Sequence, residues 1–546
     1  MRRRSFVLAA IAVALAGVAL LWATSRTTTE SLSRPSVAAD ATAEARGAAA
    51  FEGAGFGGIS LDALKTHALP WRLVAAALVL DARARDGSAP LARSTLDATL
   101  AGFGFFPGAE VANHPLGVSK SSSELPPGFT YGDLAPLAGT KIRVANLGCP
   151  ACHAGVTYGV DGTADPRRIW LGMPNTSLDL EAYTLAVFRA MRNAIKRPEA
   201  LMAATDVLFQ DMSWGEKQSL RWLVLPLVER RIAELGNIER PLPFPNGAPG
   251  STNGVAALKF ALGVPLAGNG AGDAGVVSIP DLGSRVWRTS LLADGAYAVP
   301  GSERQAPMTA SGLDDQHLKS LATIMTFFTV PSMGVHPDAA LGNISEAVDV
   351  MAFLRSYRPQ PFPGAIDKDR ADRGRQLYAG QCAACHGRYD ASLPPRLVEF
   401  PNWIGEVGTD GMRARLFDEP LAAAINRTGY GSRIAVARGG NYAAPPLTGI
   451  WASAPYLHNG SVPTLAALLS PDMRPRRFNV GGHALDFEQV GLKLDEAGNY
   501  PAGYKAFSMP ALIDTATPGR SNIGHRFGEN LDAGGKRDLI EYLKLL

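Results

Sequence analysis

Cysteine is scarce in this 546-residue chain, which has only four. So few cysteines exclude a small scaffold that is held together by a network of disulfides. Net charge is also nearly absent, because 53 lysines and arginines against 50 aspartates and glutamates leave +3. A neutral body gives no electrostatic reason to expect nucleic-acid binding, since phosphate contacts require a basic face.

The composition is otherwise that of an ordinary globular protein. Apolar residues make up 46% and charged residues 19%, which argues against wholesale disorder and against a polytopic membrane protein. At roughly 150 residues per domain, the length suggests about three domains. Glycine and proline are abundant, with 58 and 39 residues, and we therefore expect extensive loops.

The N-terminus has the pattern of an export segment. Three arginines at 2–4 precede an unbroken apolar run over 6–23, which is 18 residues long. This run is longer than most cleaved signals and just long enough to span a bilayer as a helix. We therefore expect residues 1–25 to be a signal peptide or a membrane anchor, and the remainder to be periplasmic or secreted, free or held at the inner membrane.

All four cysteines lie in two copies of one motif. These are Cys149-Pro-Ala-Cys152-His153 and Cys382-Ala-Ala-Cys385-His386. C-x-x-C-H is the attachment motif of c-type haem, in which two thiols bind the vinyl groups and the histidine binds the iron. We predict two covalently bound haems with His153 and His386 as iron ligands. A zinc site, a redox-active cysteine pair and disulfides are the alternatives.

Helical patterns predict a mainly α fold. The segment 369–381 leads into the second motif, and 535–546 forms a terminal helix with one apolar face. Such a pair resembles the crossed terminal helices of a cytochrome c domain, and we expect two cytochrome c-like haem domains. Prolines at 359, 361 and 363 indicate a stiff linker. We therefore place a linker at 26–59, an N-terminal haem domain at 60–358 and a C-terminal cytochrome c domain at 367–546. No repeat is expected beyond the two motifs themselves.

The C-terminal half resembles a known family. The segment Trp451-Ala-Ser-Ala-Pro-Tyr456-Leu-His458-Asn-Gly is similar to a signature of the bacterial di-haem cytochrome c peroxidase superfamily, which includes MauG-type enzymes and di-haem rubber oxygenases. The segments Arg474-Pro-Arg-Arg-Phe478 and Ser521-Asn-Ile-Gly-His525 resemble the rubber-oxygenase-like branch in particular. Residues 26–139 and 190–275 contribute little to the resemblance.

The resemblance implies different roles for the two haems. The C-terminal haem would be six-coordinate and relay electrons, whereas the N-terminal haem would be reactive. His525 matches the second iron ligand of the C-terminal haem, and Met509 or Tyr456 would take that place if the peroxidase or MauG pattern applied. His458 would be a cofactor-binding residue that bonds a haem propionate or the backbone.

The resemblance also suggests residues for the reactive side. Cleavage of peroxide requires an acid–base group close to both oxygens. Gln305 and Asp315 lie roughly where peroxidases carry a distal glutamine and a glutamate, although a solvated charge near a helix end is the simpler interpretation of Asp315. Relatives carry a tryptophan between the haems where this chain has Ala293, and Trp287 is the candidate substitute.

Three functions remain open at this point. A peroxidase-like oxidoreductase would take electrons from a small periplasmic donor. A dioxygenase would act on an apolar unsaturated substrate, such as polyisoprene or a fatty acid. A non-catalytic electron carrier would have two six-coordinate haems.

Overall fold

The computed structural model describes residues 31–546, except for 120–122, 136–139, 237, 267–274 and 439. The predicted export or anchor segment over 1–25 lies outside the described residues. Within the part of the chain that the structure describes, no helix is both long and apolar enough to cross a membrane.

Helices occur along the whole described chain. Those up to and including the first motif are α1 (Ala43–Gly53), α2 (Leu61–Leu64), α3 (Trp71–Arg85), α4 (Arg93–Gly102) and α5 (Cys149–His153). The following stretch contains α6 (Leu180–Ala194), α7 (Pro198–Leu208), α8 (Trp214–Ser219), α9 (Leu225–Leu235), α10 (Gly254–Ala261), α11 (Asp315–Met333), α12 (Pro337–Leu341) and α13 (Ile344–Ser356). From the second motif onward come α14 (Lys368–Gln381), α15 (Ala383–His386), α16 (Met412–Leu416), α17 (Glu419–Asn426), α18 (Leu465–Leu469) and α19 (Ala533–Leu543).

Short strands lie between these helices. The first ten are β1 (Leu69–Pro70), β2 (Glu110–Val111), β3 (Phe129–Leu134), β4 (Ile142–Leu147), β5 (Ala154–Tyr158), β6 (Ala164–Leu171), β7 (Ser251–Thr252), β8 (Val277–Ser278), β9 (Ser290–Leu291) and β10 (Tyr297–Ala298). The next ten are β11 (Met308–Thr309), β12 (Arg388–Tyr389), β13 (Leu397–Phe400), β14 (Ile404–Gly405), β15 (Ala435–Val436), β16 (Tyr442–Ala443), β17 (Arg477–Val480), β18 (Leu485–Asp486), β19 (Gly491–Leu492) and β20 (Ala511–Asp514).

These strands pair into small sheets of two or three strands. The three-stranded sheets have the orders β1-β4-β3, β2-β6-β5, β15-β10-β9 and β11-β13-β12. The two-stranded sheets are β14-β16, β17-β20, β18-β19 and β7-β8. Only the β2–β6 pair is parallel among these named strands, and β3 and β4 pair in register from Phe129↔Leu147 to Leu134↔Ile142.

The fold is mixed α/β, and the prediction of a mainly α fold is therefore wrong. Helices account for 39% of the described residues and strands for 14%. Most of the strands contain two residues, which is too short for an alternating apolar pattern to show in the sequence. The predicted helices on either side of the second motif are confirmed, as α14 and α19.

The two segments predicted as haem domains are joined by shared structure. Tyr297 of β10 pairs with Val436 of β15, and Met308 of β11 pairs with Phe400 of β13. One hydrophobic core contains buried residues from α1, α11 and α13 as well as from the C-terminal segment. A second core contains α3, α6 and the β3–β4 ladder. The proposed domain boundaries stay a prediction.

The second motif lies beside a pair of crossed helices, α14 and α19. A Cβ atom added to Gly374 would lie 1.9 Å from the carbonyl oxygen of Asp538, so only glycine permits this close approach. Beside it, Arg373 binds the Asp538 carboxylate through two nitrogens, at 2.7 and 3.0 Å. The rings of Tyr378 and Tyr542 pack together with centroids 5.3 Å apart and an interplanar angle of 53°.

The first motif has an equivalent pair, α1 and α13. A Cβ atom on Gly47 would lie 1.9 Å from the carbonyl oxygen of Asp349. Arg46 binds the Asp349 carboxylate through two nitrogens, both at 2.9 Å. The rings of Phe51 and Phe353 lie 5.6 Å apart at 50°.

The two crossed pairs reveal an internal repeat. The first helix of each pair carries Arg-Gly-x-x-x-aromatic, and the last carries Asp followed four and five residues later by an aromatic residue and leucine. The expectation of no repeat beyond the haem motifs is therefore wrong. The repeat was missed because α1 lies in 26–59, which was interpreted as a linker, and because its identities are spread over two distant helices.

Candidate haem centres

The first C-x-x-C-H motif forms the short helix α5, which connects β4 to β5. Pro150 fits the first turn of this helix, where no backbone N–H is needed. Cys149 and Cys152 are free thiols, and burial raises the pKa of each to about 12. Cys382 and Cys385 at the second motif are also free, and burial raises the pKa of both. All four thiols are thus available for thioether bonds.

The two motif histidines are held in the same way. His153 donates a hydrogen bond from Nδ1 to the carbonyl oxygen of Pro280 at 3.2 Å, and His386 donates from Nδ1 to that of Pro445 at 2.8 Å. Because a carbonyl only accepts, Nδ1 carries the proton and Nε2 keeps its lone pair for a metal. Burial lowers the pKa of His153 to about 4 and also lowers that of His386. Both rings are therefore neutral at pH 7, as iron ligation requires.

A second imidazole faces His386. The ring of His525 lies with its centroid 6.3 Å from that of His386, at an interplanar angle of 53°. Two imidazoles that bind one metal from opposite sides, each through a nitrogen at about 2 Å, would have centroids about 6 Å apart. The structure thus brings His525 next to His386, and its role as second iron ligand stays a prediction.

The other two candidates for this position have different surroundings. Met509 is 47% exposed, and its backbone N–H donates to Gly102. Tyr456 is buried, and its hydroxyl lies 3.2 Å from the carbonyl oxygens of both Ile450 and Val490. His525 is therefore the candidate of the three that the structure brings to His386.

His458 lies half-buried against Tyr442. The two rings stack with centroids 4.1 Å apart and an interplanar angle of 23°. Burial lowers the pKa of His458 to about 4, and its Nε2 has no hydrogen-bond partner among the described residues. A buried nitrogen of this kind fits the expected bond to a haem propionate, and this role stays a prediction.

The predicted distal residues lie at the protein surface. Gln305 is exposed, and its side-chain oxygen accepts from the backbone N–H of Ile404 at 3.1 Å. Asp315 is exposed in the first turn of α11. Their catalytic assignment stays a prediction.

Trp287 lies near the second motif. It packs with Met308 and Phe400 in a small apolar cluster that also includes Tyr389, three residues after His386. This location is compatible with an inter-haem role for Trp287 and also with a packing role. Trp287 does not stand at position 293, where relatives carry a tryptophan and this chain has alanine.

Two arginines that lie between the motifs along the chain, the half-buried Arg285 and the buried Arg288, were not identified from the sequence. Burial lowers the pKa of Arg285 to about 10 and that of Arg288 to about 9. Arg285 lies near Asp281, whereas the Nε of Arg288 has no hydrogen-bond partner among the described residues. Asp294 lies close enough to raise the pKa of Arg288, but the buried Nε of Arg288 lacks an acceptor, which is costly. A haem propionate would supply this acceptor, so the residues present fit this cofactor.

We expect replacement of Arg288 by methionine to lower the midpoint potential of one haem by tens of millivolts. Loss of a nearby positive charge favours the more positively charged ferric iron. Potentiometric titration followed by absorbance measures the effect. Arg167→Met is the matched control, because the Arg167 side chain is 88% exposed and its replacement should leave both potentials unchanged. Equal potentials in all three proteins would show that Arg288 does not interact with a haem.

Among the described residues, no group of three or more His, Cys, Asp or Glu side chains is arranged to hold a metal ion on its own.

Comparison with known proteins supports a cytochrome. Residues 440–479 match a family model described as RoxA-like, cytochrome c-like. The chain is 26% identical to the uncharacterized protein y4iJ of Sinorhizobium fredii, over 79% of this chain and 83% of that protein. It is 31% identical to the uncharacterized protein y4iM of the same bacterium, over 36% of this chain and 52% of that protein. The matched segment extends from just before Tyr442 and Pro445 to just beyond Arg474, and it supports a haem-containing, cytochrome-type protein related to the RoxA-like cytochrome c family.

Proposed function

We propose that the protein is an exported di-haem c-type cytochrome oxidoreductase of the di-haem peroxidase superfamily. Hydrogen peroxide or dioxygen would react at the His153 site, and electrons would pass through the His386 site from a small periplasmic donor. The repeated crossed-helix pair beside each motif supports two haem units. The arginine-led apolar segment at the N-terminus supports export. Export also agrees with the two haem motifs, since c-type haem is attached outside the cytoplasm.

The contrast between the two motif histidines carries the proposal. His386 faces the second imidazole of His525 at 6.3 Å. No comparable ring pair involving His153 is found in the described residues. A site with two protein ligands suits electron transfer, whereas a site with one leaves a position for a small molecule.

The chain orients and shields whatever reacts at the first site. A bound haem would supply the redox-active iron. The carbonyl oxygen of Pro280 fixes the tautomer and direction of His153, and burial of this imidazole keeps it unprotonated. The guanidinium groups of Arg285 and Arg288 would supply positive charge to hold the propionates of a bound haem.

A dioxygenase acting on an apolar unsaturated substrate is the second candidate function. One observation favours it over the peroxidase-like reaction. The family match over 440–479 is to a RoxA-like model.

Purified protein tested with two oxidants would distinguish these functions. One sample receives hydrogen peroxide and a reduced small cytochrome, and the other receives dioxygen with polyisoprene or an unsaturated fatty acid. Oxidation of the cytochrome would support the peroxidase-like function, and oxygenated cleavage products would support the dioxygenase. Two low-spin haems that respond to neither peroxide nor carbon monoxide would overturn both and leave an electron carrier.

A further inference from the structure

The side chain of Arg474 connects a helix end to the loop that carries His525. Its Nη1 donates to the carbonyl oxygens of Asn522 at 2.6 Å and Gly524 at 2.8 Å, and its Nη2 lies 3.4 Å from that of His525. Its remaining bonds reach the end of α18, at Ala467 (3.2 Å) and Leu468 (3.0 Å). All five acceptors are main-chain oxygens, and those of α18 have no partner within their own helix.

The loop itself has a backbone that requires support. His525 has a φ of 49°, in the left-handed region that non-glycine residues rarely adopt. Gly524 precedes it at φ 79°, and a Cβ atom there would lie 2.3 Å from the carbonyl carbon of Gly408. The N–H of His525 donates to Val407 at 2.8 Å. Gly524 thus allows the loop to contact the backbone at Gly408.

The ring of His525 is held differently from those of His153 and His386. Each of the motif histidines is oriented by a bond from Nδ1 to a proline carbonyl. The Nδ1 of His525 is buried and has no partner among the described residues. The direction of this ring therefore depends on the position of its own main chain.

We propose that Arg474 is the positioning residue for His525, fixing the 522–525 loop so that the imidazole faces His386. This inference rests on the proposed role of His525 as the second ligand. Arginine suits the task because its planar fork can donate to the helix end and to the loop at the same time. Lysine would offer a single ammonium group, which would have to bind both the helix end and the loop.

Replacement of Arg474 by methionine tests this role in the full-length holoprotein. We expect the ratio of bound to unbound His525 to fall about tenfold or more, because several charge-assisted hydrogen bonds are lost. Electron paramagnetic resonance would show loss of the low-spin bis-imidazole signal. Carbon monoxide bound per reduced chain would rise from one towards two. Arg474→Lys should retain part of the signal, and it decides the question if the methionine variant does not fold.

Two further variants separate the possible outcomes. Arg476→Met is the matched control, because that side chain is 73% exposed, and it should retain the wild-type signal. His525→Ala should abolish the bis-imidazole signal, and its persistence would refute the ligand assignment in the proposed function. If His525→Ala abolishes the signal while the Arg474 variants keep it, the positioning role is overturned. A lower melting temperature with an unchanged signal would also overturn it, since that result indicates packing alone.

Discussion

Replacing Gly374 by alanine is expected to lower the free energy of unfolding by about 3 kcal/mol or more. The added methyl group would lie 1.9 Å from the carbonyl oxygen of Asp538, and neither backbone can yield without separating α14 from α19. Gly47→Ala should have a similar effect on α1 and α13, because the corresponding distance to Asp349 is also 1.9 Å. Denaturant unfolding of the holoprotein, followed by circular dichroism, measures both.

Gly380 provides the control within the same helix. A Cβ atom at this position meets no other atom within 4 Å. Because alanine favours helix over glycine by up to about 1 kcal/mol, Gly380→Ala should leave stability unchanged or raise it slightly. Equal stabilities of the Gly374 and Gly380 variants would show that the close helix crossing contributes nothing.

Replacing His153 by alanine is expected to abolish turnover while leaving the spectrum of the second haem largely intact. The loss should exceed about 100-fold, because removal of a group that merely orients a metal ligand already costs 10- to 100-fold. His386→Ala should instead remove the low-spin signal of the second site. Steady-state assays with peroxide or with dioxygen and an unsaturated substrate, together with absorbance spectra, measure these effects.

His336 offers a control for the histidine variants, since its side chain is 62% exposed. His336→Ala should change neither turnover nor either spectrum. Disappearance of both haem spectra in the His153 variant would contradict the expected independence of the two sites. It would indicate that His153 is needed for folding or for attachment of both cofactors.

Features encoded in short stretches of sequence could be predicted without the structure. The C-x-x-C-H motif fixes two thiols and an imidazole within one helical turn, so its chemistry is readable from five residues. The helices α14 and α19 were predicted because they are long enough for periodicity to show. His525 was found only through resemblance, since 139 positions separate it from His386 in the sequence.

Features that depend on distant contacts could not be predicted. Arginine usually lies at the protein surface, so the sequence gives no sign that Arg288 is buried. Its burial arises from packing between segments that are far apart in the chain. Gln305 and Asp315 were chosen by approximate spacing within a loop-rich region, where sequence distance says little about spatial distance. The two-residue strands were missed because their pairing partners, rather than their own residues, make them strands.

The acceptors for the two motif histidines have a consequence for evolution. The oxygens that bind Nδ1 of His153 and His386 belong to the main chain at Pro280 and Pro445. Any residue that keeps the same backbone path would present the same oxygen, so substitution at either position need not disturb the imidazole. The orientation of each motif imidazole therefore does not depend on which side chain stands at position 280 or 445.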